Sequence, residues 1–244
     1  AFGRKAVLYA TCFANYNQPK IGVAARAVLA KNGVETELVY PACCGMPKFE
    51  QGDLEDVAAR ARKIAREMRP WIEKNYAVIA LVPSCALMLK FEWPLLLPDE
   101  DDVALLAKAT FDITEYVVDV AAGEGLAEGM QALDGGVALH LACHARAQNM
   151  GQKAAEMLRL LPDADLEVIE RCSGHGGSWG VLKANFETAI KVGKPVARRA
   201  VDAKKTYLAS ECPLAGAHIV QGMERLDGTA SKESCHPIEL FARA

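Results

Sequence analysis

The chain has 244 residues, of which 51% are hydrophobic and 24% charged, and its formal net charge is −3. This composition is typical of a globular protein and excludes a disordered or fibrous chain. A nearly neutral chain without a dense stripe of Lys and Arg is not expected to bind nucleic acid.

Neither a membrane span nor a signal peptide is expected. The most apolar stretch, YAVIALVPSCALMLKFEWPLLL, is interrupted by prolines and charged residues before it reaches the length of a span. The amino terminus, AFGRKAVLYATC, leads directly into a predicted strand and begins as though further residues precede it. We therefore expect a cytoplasmic protein, either free or peripheral to the inner face of the membrane.

The first half of the chain alternates between predicted strands and helices. The runs AVLYA, ETELVY and AVIALV predict strands. Between them, KIGVAARAVLAKNG predicts a helix that ends at Gly33. DLEDVAARARKIAREMRPWIEKN predicts a longer helix that begins at Asp53 and ends or kinks at Pro70. This order is typical of a parallel sheet covered by helices.

The second half repeats the same order. GVALHLAC, ADLEVIERCSG and KTYLASEC correspond to KAVLYATC, VETELVYPACCG and AVIALVPSC, and GQKAAEMLRLL and ANFETAIKVGKPVARRAV predict helices. The sequence therefore predicts an α/β protein of two homologous halves, residues 1–124 and 125–244. Each half is expected to be a small parallel sheet with covering helices, and a pseudo-twofold is expected to relate them.

Eight cysteines in a chain without signs of secretion favour metal or redox chemistry over a disulfide framework. Six of them recur in the two halves at nearly constant spacing. These are Cys12, Cys43 and Cys85, matched by Cys143, Cys172 and Cys212 at offsets of 131, 129 and 127 residues.

Each of the six closes a predicted strand. Because the carboxyl ends of parallel strands meet at one edge of a sheet, these thiols are expected to converge there. The following helix starts favour thiolate over thiol. A small buried hydrophobe is the alternative for any single cysteine, but six repeats at strand ends favour a functional set.

The first half also contains Cys44 beside Cys43. A disulfide between neighbours is strained, so metal, cluster or redox chemistry is expected instead. Four thiolates suffice for a [4Fe–4S] cluster, and adjacent Cys43 and Cys44 can bind two of its irons. Gly45 allows the backbone to approach closely and turn. The predicted cluster ligands of this half are Cys12, Cys43, Cys44 and Cys85.

These motifs resemble the CCG cysteine-rich domain of iron–sulfur oxidoreductases such as heterodisulfide reductase. CCGMPKFEQGDL, CHARAQNMG, ERCSGHGG, ECPLAGAHIVQG and HPIELFA are also similar to the C-terminal part of an iron–sulfur subunit of anaerobic glycerol-3-phosphate dehydrogenase. The resemblance implies an electron-transfer subunit with one or two clusters, other redox subunits as partners, and a quinone or a disulfide as acceptor. It also implies a ferredoxin-like segment, so the chain is expected to be a fragment or a relative without that segment.

The chain departs from the family pattern at three places. CALM and CPLA put Met88 and Ala215 where the second thiol of a C-x-x-C pair is expected, and Ser173 replaces a paired cysteine. The second half therefore has the three thiolates Cys143, Cys172 and Cys212. A fourth position can be filled by His144, His175, Cys235, an external ligand or nothing, and an empty one would leave an iron open to a substrate sulfur.

Two other functions remain open from the sequence. Zinc bound by four thiolates would make the protein a structural or interaction module. A dithiol protein without a cluster would act through Cys43 and Cys44.

The remaining candidates have weaker signals. His144 and His175 are ligands or proton donors, or are hydrogen-bonded at strand ends. His140 and His218 are expected to be structural, His236 to lie in a turn, and Cys235 to be a spare exposed thiol. Arg146 and Gln148 are expected either to contact an anion or to lie at a solvated helix start. Among the aromatic residues, Phe13 and Trp179 are expected to shield a cluster, and Trp71 and Trp93 to lie in the core or at an interface.

Overall fold

The computed structural model of the chain describes residues 3–227 and 233–244. Each half contains a four-stranded sheet in which the paired strands run parallel. The predicted α/β fold in two halves is confirmed. The first compact unit extends to Glu128 and includes Ala147–Asn149, and the second comprises Gly129–Arg146 and the chain from Met150.

The sheet of the first half has the strand order β2-β1-β3-β4. Its strands are β1 (Lys5–Tyr9), β2 (Glu35–Val39), β3 (Tyr76–Ala80) and β4 (Thr110–Asp112). Its helices are α1 (Cys12–Tyr16), α2 (Pro19–Lys31), α3 (Met46–Phe49), α4 (Leu54–Ile72), α5 (Pro83–Leu87), α6 (Trp93–Leu96), α7 (Asp101–Ala109) and α8 (Ile113–Gly123), with a π-helical turn at Met88–Glu92 between α5 and α6.

The sheet of the second half has the equivalent order β6-β5-β7-β8. Its strands are β5 (Val137–His140), β6 (Leu166–Ile169), β7 (Tyr207–Ser210) and β8 (Ser234–Cys235). Its helices are α9 (Cys143–Arg146), α10 (Lys153–Leu158), α11 (Phe186–Asp202), α12 (Pro213–Asp227) and α13 (Pro237–Arg243).

Burial follows the place of each strand in its sheet. β1 and β3 lie in the middle and are almost wholly buried, because helices cover both faces of a parallel sheet. β2 lies at the edge, and its sequence ETELV leaves most side chains exposed or half-buried. In the second half, β5 and β7 are the buried central strands. The central strands therefore fix the carboxyl edges at which the cysteine loops begin.

Helix α4 shows how the sequence determines a local element. The Asp53 carboxylate caps its start by accepting from the Asp56 N–H at 3.4 Å, as predicted. The helix continues for two residues beyond Pro70 and ends at Ile72, so the proline lies in its last turn. Although α4 has 19 residues, it is amphipathic. Across 3–227 and 233–244, no helix has both the length and the apolar character needed to cross a membrane.

Two short strands were not predicted from the sequence. β4 and β8 have only three and two residues, too few to produce a strand pattern. Each leads into a helix through a capping box, Asp112 with Glu115 before α8 and His236 with Glu239 before α13. The turn predicted at His236 is therefore a helix cap, and the duplication extends to the fourth strand of each sheet.

We expect Ile64→Ala to lower the free energy of unfolding by about 2–5 kcal/mol, because it leaves a cavity under α4. Ile64 is fully buried on the apolar face of this helix. Urea denaturation measures the change. Arg66→Ala, on the exposed face of the same helix, is the matched control and should change stability by no more than about 0.5 kcal/mol. Equal effects of the two substitutions would contradict the assigned helix face.

Candidate functional site

The cysteines of the first half lie at the carboxyl ends of three neighbouring strands. Cys12 is the first residue of α1, directly after β1, and Cys85 lies in α5 after β3. Cys43 and Cys44 lie in the loop between β2 and α3. The chain therefore brings these four thiols to one edge of the sheet, at the place the sequence predicts.

The four sulfur atoms form two close pairs. The Sγ atoms of Cys12 and Cys43 are 3.6 Å apart, and those of Cys44 and Cys85 are 3.2 Å apart. Cys12 and Cys43, the outer pair, are half-buried. Cys44 and Cys85, the inner pair, are 2% and 3% exposed. Cys43 and Cys44 are adjacent in the chain and thereby connect the two pairs. The outer pair is partly in contact with solvent, whereas the inner pair is sealed from it.

Hydrogen bonds concentrate negative charge on Cys43. The interaction with Cys12, and after it the interaction with Cys44, lowers the pKa of Cys43 to about 2. The same bonds raise the pKa of Cys12 and of Cys44. The Gly45 N–H also donates to Cys43 Sγ at 3.5 Å, and the Arg60 charge favours the thiolate. These interactions therefore favour the thiolate form of Cys43.

A glycine in the left-handed region follows the loop cysteines in both halves. Gly45 has φ +86° and Gly174 has φ +81°, and each donates its N–H to the cysteine two residues earlier. The second bond joins Gly174 N to Cys172 Sγ at 3.4 Å. Cys172 therefore corresponds to Cys43, and Ser173 takes the position of Cys44.

The backbone contacts of these glycines differ. A Cβ on Gly45 would lie 3.4 Å from a methyl group of Val57, an ordinary contact. A Cβ on Gly174 would lie 2.2 Å from the Ala189 carbonyl oxygen, and one on Gly193 would lie 2.2 Å from the Ser173 carbonyl oxygen. The second-half loop therefore packs backbone against backbone on helix α11.

The cysteines of the second half also follow three strands, but they are more open to solvent. Cys143 begins α9, Cys172 follows β6, and Cys212 directly precedes α12. Cys143 and Cys172 are exposed, and Cys212 is half-buried. Burial, and then the negative charge of Cys172, raise the pKa of Cys143. Burial also raises the pKa of Cys212, although the N–H groups of Ala215 and Leu214 oppose this rise.

The strand register changes one equivalence predicted from the sequence. Tyr9 pairs with Ala80, and His140 pairs with Ser210. The residue three positions further along is a proline that begins a helix in both halves, α5 and α12. The two segments therefore align as Val-Pro-Ser-Cys with Cys-Pro-Leu-Ala.

In this alignment Cys85 and Cys212 are not equivalent. Cys212 occupies the position of Val82, and Cys85 occupies the position of Ala215. The interpretation of Met88 as the place of a missing thiol is wrong, because Met88 lies beyond the turn and begins the π-helical segment. The sequence comparison erred because it aligned the cysteines rather than the prolines.

The second half therefore lacks both members of the inner pair. Ser173 and Ala215 occupy the positions of Cys44 and Cys85, and each is 5% exposed. Both positions are therefore buried in the second half, as they are in the first, but the residues there have no sulfur. What the second half retains is the solvent-facing outer positions, Cys143 and Cys172, together with Cys212.

Histidines lie beside the second-half cysteines. His144 is half-buried in α9, directly after Cys143. His175 is buried in the loop that follows Ser173, and its ring centroid is 6.1 Å from that of His218 on α12. The His218 ring also contacts Phe186 edge to face at 5.9 Å. His218 therefore packs between the rings of His175 and Phe186, and its structural role stays a prediction.

Several weaker candidates have definite partners. Arg146 pairs with Glu170 at 3.0 Å, and Gln148 is buried. Cys235 lies half-buried in β8, so the prediction of an exposed thiol is wrong. The sequence did not predict this strand because it has only two residues. The aromatic residues divide into two groups: Trp93 is buried in the core and Trp71 packs on Tyr76, whereas Phe13 is half-buried and Trp179 exposed.

One buried acid was missed by the sequence reasoning. Glu211 directly precedes Cys212, and its Oε2 accepts from the Ala142 N–H at 2.9 Å. The contact ties the end of β7 to the residue before Cys143. The signal was a charged residue closing the apolar run of KTYLASEC. A carboxylate at a strand end is rarely buried without such a partner.

The donor set of the first half fits an iron–sulfur cluster in its chemistry, because four cysteines are the usual complement of a [4Fe–4S] cluster. Within 3–227 and 233–244, no group of three or more His, Cys, Asp or Glu side chains has the arrangement of a single-ion site.

The fold and the site define an α/β protein of duplicated domains with cysteines at the carboxyl edges of parallel sheets. The family model of the CCG cysteine-rich domain matches residues 6–90 and 137–219. The chain belongs to this family.

Curated relatives match most of the chain. One of the subunits of anaerobic glycerol-3-phosphate dehydrogenase from Escherichia coli K12 is 26% identical over 236 residues, which are 96% of this chain and 57% of that protein. Lactate utilization protein A of Macrococcus caseolyticus is 30% identical over 188 residues, 72% of this chain and 73% of that protein. The chain therefore spans little more than half the length of the first relative.

Glutamate racemase from Thermus thermophilus is a solved structure with a TM-score of 0.37 and 14% identity, covering 98% of this chain and 77% of the racemase. A likeness at this level does not indicate a shared function.

In the reduced, metal-free chain, we expect Cys43 to react with iodoacetamide at a rate that is nearly constant from about pH 6 to 9, since it is already a thiolate. Cys12→Ala removes the principal hydrogen-bond donor, raises the pKa of Cys43, and makes the rate rise with pH. Peptide mass spectrometry measures the rate at Cys43. Cys235→Ala is the control and should leave the profile flat. A wild-type rate that climbs with pH like that of an ordinary thiol would contradict the assignment.

Proposed function

We propose that the protein is an iron–sulfur electron-transfer subunit whose first half binds a [4Fe–4S] cluster. The observation that carries the proposal is the set of four cysteines whose sulfurs lie in two close pairs at one sheet edge. Its ligands would be Cys12, Cys43, Cys44 and Cys85. A cluster held by four thiolates supplies one-electron transfer.

The surroundings of these cysteines suit such a site. The Cys43 sulfur already accepts the Gly45 N–H and is stabilised by the Arg60 charge, so the protein favours negative charge there. The inner pair is sealed from water, whereas the outer pair is half-buried. Hydrogen bonds to sulfur and solvent exposure are two of the means by which a protein sets a cluster potential. Phe13, half-buried beside Cys12, would limit access of water on this side.

We propose a different kind of site in the second half. Its three thiolates are Cys143, Cys172 and Cys212, and they would leave a coordination position open. His144, His175 and Cys235 are the candidates on this chain for a fourth ligand, and an external ligand is the alternative. The chain would thus hold one closed cluster and, if the second site is loaded, a second one that is more open to solvent.

The names of the relatives suggest the setting. One is a dehydrogenase subunit and another a lactate utilization protein. We infer that this chain also works with other redox subunits, receives electrons from a dehydrogenase partner, and passes them to a quinone or a disulfide. A cytoplasmic location, free or at the inner face of the membrane, is consistent with this role.

A second candidate function is thiol–disulfide exchange without a cluster. The distances favour it in a revised form, because the close pairs are Cys12 with Cys43 and Cys44 with Cys85, rather than Cys43 with Cys44. In this function one pair would be oxidised to a disulfide while a partner disulfide is reduced to two thiols. Zinc held by the same four thiolates is the structural alternative.

The visible spectrum, with iron, sulfide and zinc analysis of protein purified without oxygen, tests the proposed function. We expect a brown protein with about four irons and four sulfides per cluster, whose absorbance bleaches on reduction. Cys43→Ser and Cys44→Ser should each lose the iron of the first half. Ala184→Ser, at an exposed position outside both sets of thiols, is the control and should retain it.

The other outcomes separate the alternatives. Stoichiometric zinc in a colourless protein would replace electron transfer with a structural role. A protein without metal, even after anaerobic reconstitution, that cycles between Cys12–Cys43 thiols and a disulfide would support the dithiol function. Iron that survives in both Cys43→Ser and Cys44→Ser would overturn the assignment of the first-half site.

Restoring the inner pair tests the difference between the halves. In a Cys43→Ser/Cys44→Ser background, we expect Ser173→Cys together with Ala215→Cys to increase the iron retained by the second half against a chelator, because the site then has five thiols. Ala184→Cys with Ala217→Cys adds two thiols at exposed positions and is the control. Retention equal to that of the control would show that Ser173 and Ala215 do not occupy ligand positions.

A further inference from the structure

The last residue of the central strand is tied to the cysteine loop in the first half. The Tyr9 hydroxyl donates to the carbonyl oxygen of Ala42 at 2.6 Å. Ala42 directly precedes the half-buried Cys43. Tyr9 is fully buried, so the bond lies in the protein interior. It joins β1 to the loop that follows β2, beyond the last paired residues of these strands.

The second half makes the same connection with a different side chain. His140 ends β5, and its Nε2 lies 3.0 Å from the carbonyl oxygen of Arg171, the residue before Cys172. Because a carbonyl can only accept, Nε2 carries the hydrogen. Nδ1 then accepts from the Ser210 hydroxyl at 2.9 Å, on the neighbouring strand β7. His140 is 1% exposed, and burial lowers its pKa, which favours this neutral tautomer.

The two contacts are equivalent by position. Tyr9 precedes Cys12 by three residues, as His140 precedes Cys143, and both acceptors immediately precede the loop cysteine. The chemistry of the donor changes from a phenol to an imidazole, but the hydrogen bond recurs. Packing alone does not require a donor at this position, since a ring without one would fill the same space. What the duplicated halves share is therefore the bond to this carbonyl.

We propose that Tyr9 and His140 are positioning residues that fix the loop cysteines, Cys43 and Cys172, against the central strand of each half. As a statement about cluster ligands this inference rests on the proposed function, whereas the geometry of the thiols applies with or without a cluster. Loss of the bond frees the carbonyl and lets the loop open. The half-buried sulfur of Cys43 then becomes more accessible to reagents, and in the second half, where Cys172 is already exposed, the loop amides exchange their hydrogens faster.

Tyr9→Phe tests the inference in the first half, because it removes one hydroxyl and keeps the ring. In the reduced, metal-free chain, we expect iodoacetamide to alkylate Cys43 about fivefold faster than in the wild type, the effect of one lost hydrogen bond on loop opening. The rate at Cys172 should not change. Peptide mass spectrometry follows both cysteines in the same sample, so the second half serves as an internal control.

His140→Phe is the reciprocal test. Because Cys172 is already exposed, the measurement here is hydrogen exchange of the loop amides of residues 172–174, which should become about fivefold faster, while the alkylation rate of Cys43 should not change. His140→Tyr supplies a hydroxyl, as Tyr9 does, and should restore the slower exchange of this loop. If circular dichroism shows that His140→Phe does not fold, the result for Tyr9→Phe alone decides whether the proposal holds. An unchanged Cys43 rate in folded Tyr9→Phe, or equal acceleration of both cysteines, would overturn the proposal.

The positioning role and the proposed function can fail separately. A wild-type chain that binds no iron overturns the cluster but leaves the half-specific alkylation result intact. Uniform alkylation in a chain that binds iron overturns the positioning role and leaves the cluster in place. In reconstituted protein, Tyr9→Phe should also shift the midpoint potential of the first-half cluster, and the Arg66→Ala variant should not.

Discussion

The parallel pairing of the strands is the constraint on which the rest of the structure depends. In each half it places the ends of β1, β2 and β3, or of β5, β6 and β7, at one edge. Residues that are tens of positions apart in sequence, such as Cys12 and Cys85, thereby become neighbours. The hydrogen bonds of the sheet fix the position of these ends, and short loops carry the thiols from there. The chemistry of the site follows from this edge rather than from any single motif.

The two halves use the same edge in different ways. The first half has four thiols, of which the inner two are sealed from solvent and the outer two are half-buried with their sulfurs 3.6 Å apart. The second half keeps the outer positions and fills the inner ones with Ser173 and Ala215. Because both inner positions lack a thiol, the second half has no buried thiol at one of them without a partner thiol at the other. The duplication therefore produced one closed set and one open set on a common scaffold.

Much of this could be predicted from the sequence, because long apolar runs and repeated cysteines are strong signals. The strands β1, β2 and β3, the cap at Asp53 and the convergence of Cys12, Cys43, Cys44 and Cys85 follow from local pattern and the rule for parallel sheets. β4 and β8 were missed because two or three residues carry no periodicity. The equivalence of Cys85 and Cys212 failed because the halves differ in length between strand and cysteine, and only the pairing of His140 with Ser210 reveals it. Hydrogen bonds such as that of Tyr9 are likewise tertiary and leave no trace in the sequence.

The contact of the second-half loop with α11 has a consequence for mutational tolerance. At Gly45 a Cβ would meet only side-chain atoms of Val57 and Arg60, although the left-handed backbone at this position disfavours any side chain. At Gly174 and Gly193 it would meet carbonyl oxygens of the main chain at 2.2 Å, which cannot move unless the loop and the helix separate. Both turns therefore require glycine because of their left-handed backbone. The second half adds a steric requirement on α11, since Gly193 has to stay small for the loop and the helix to remain in contact.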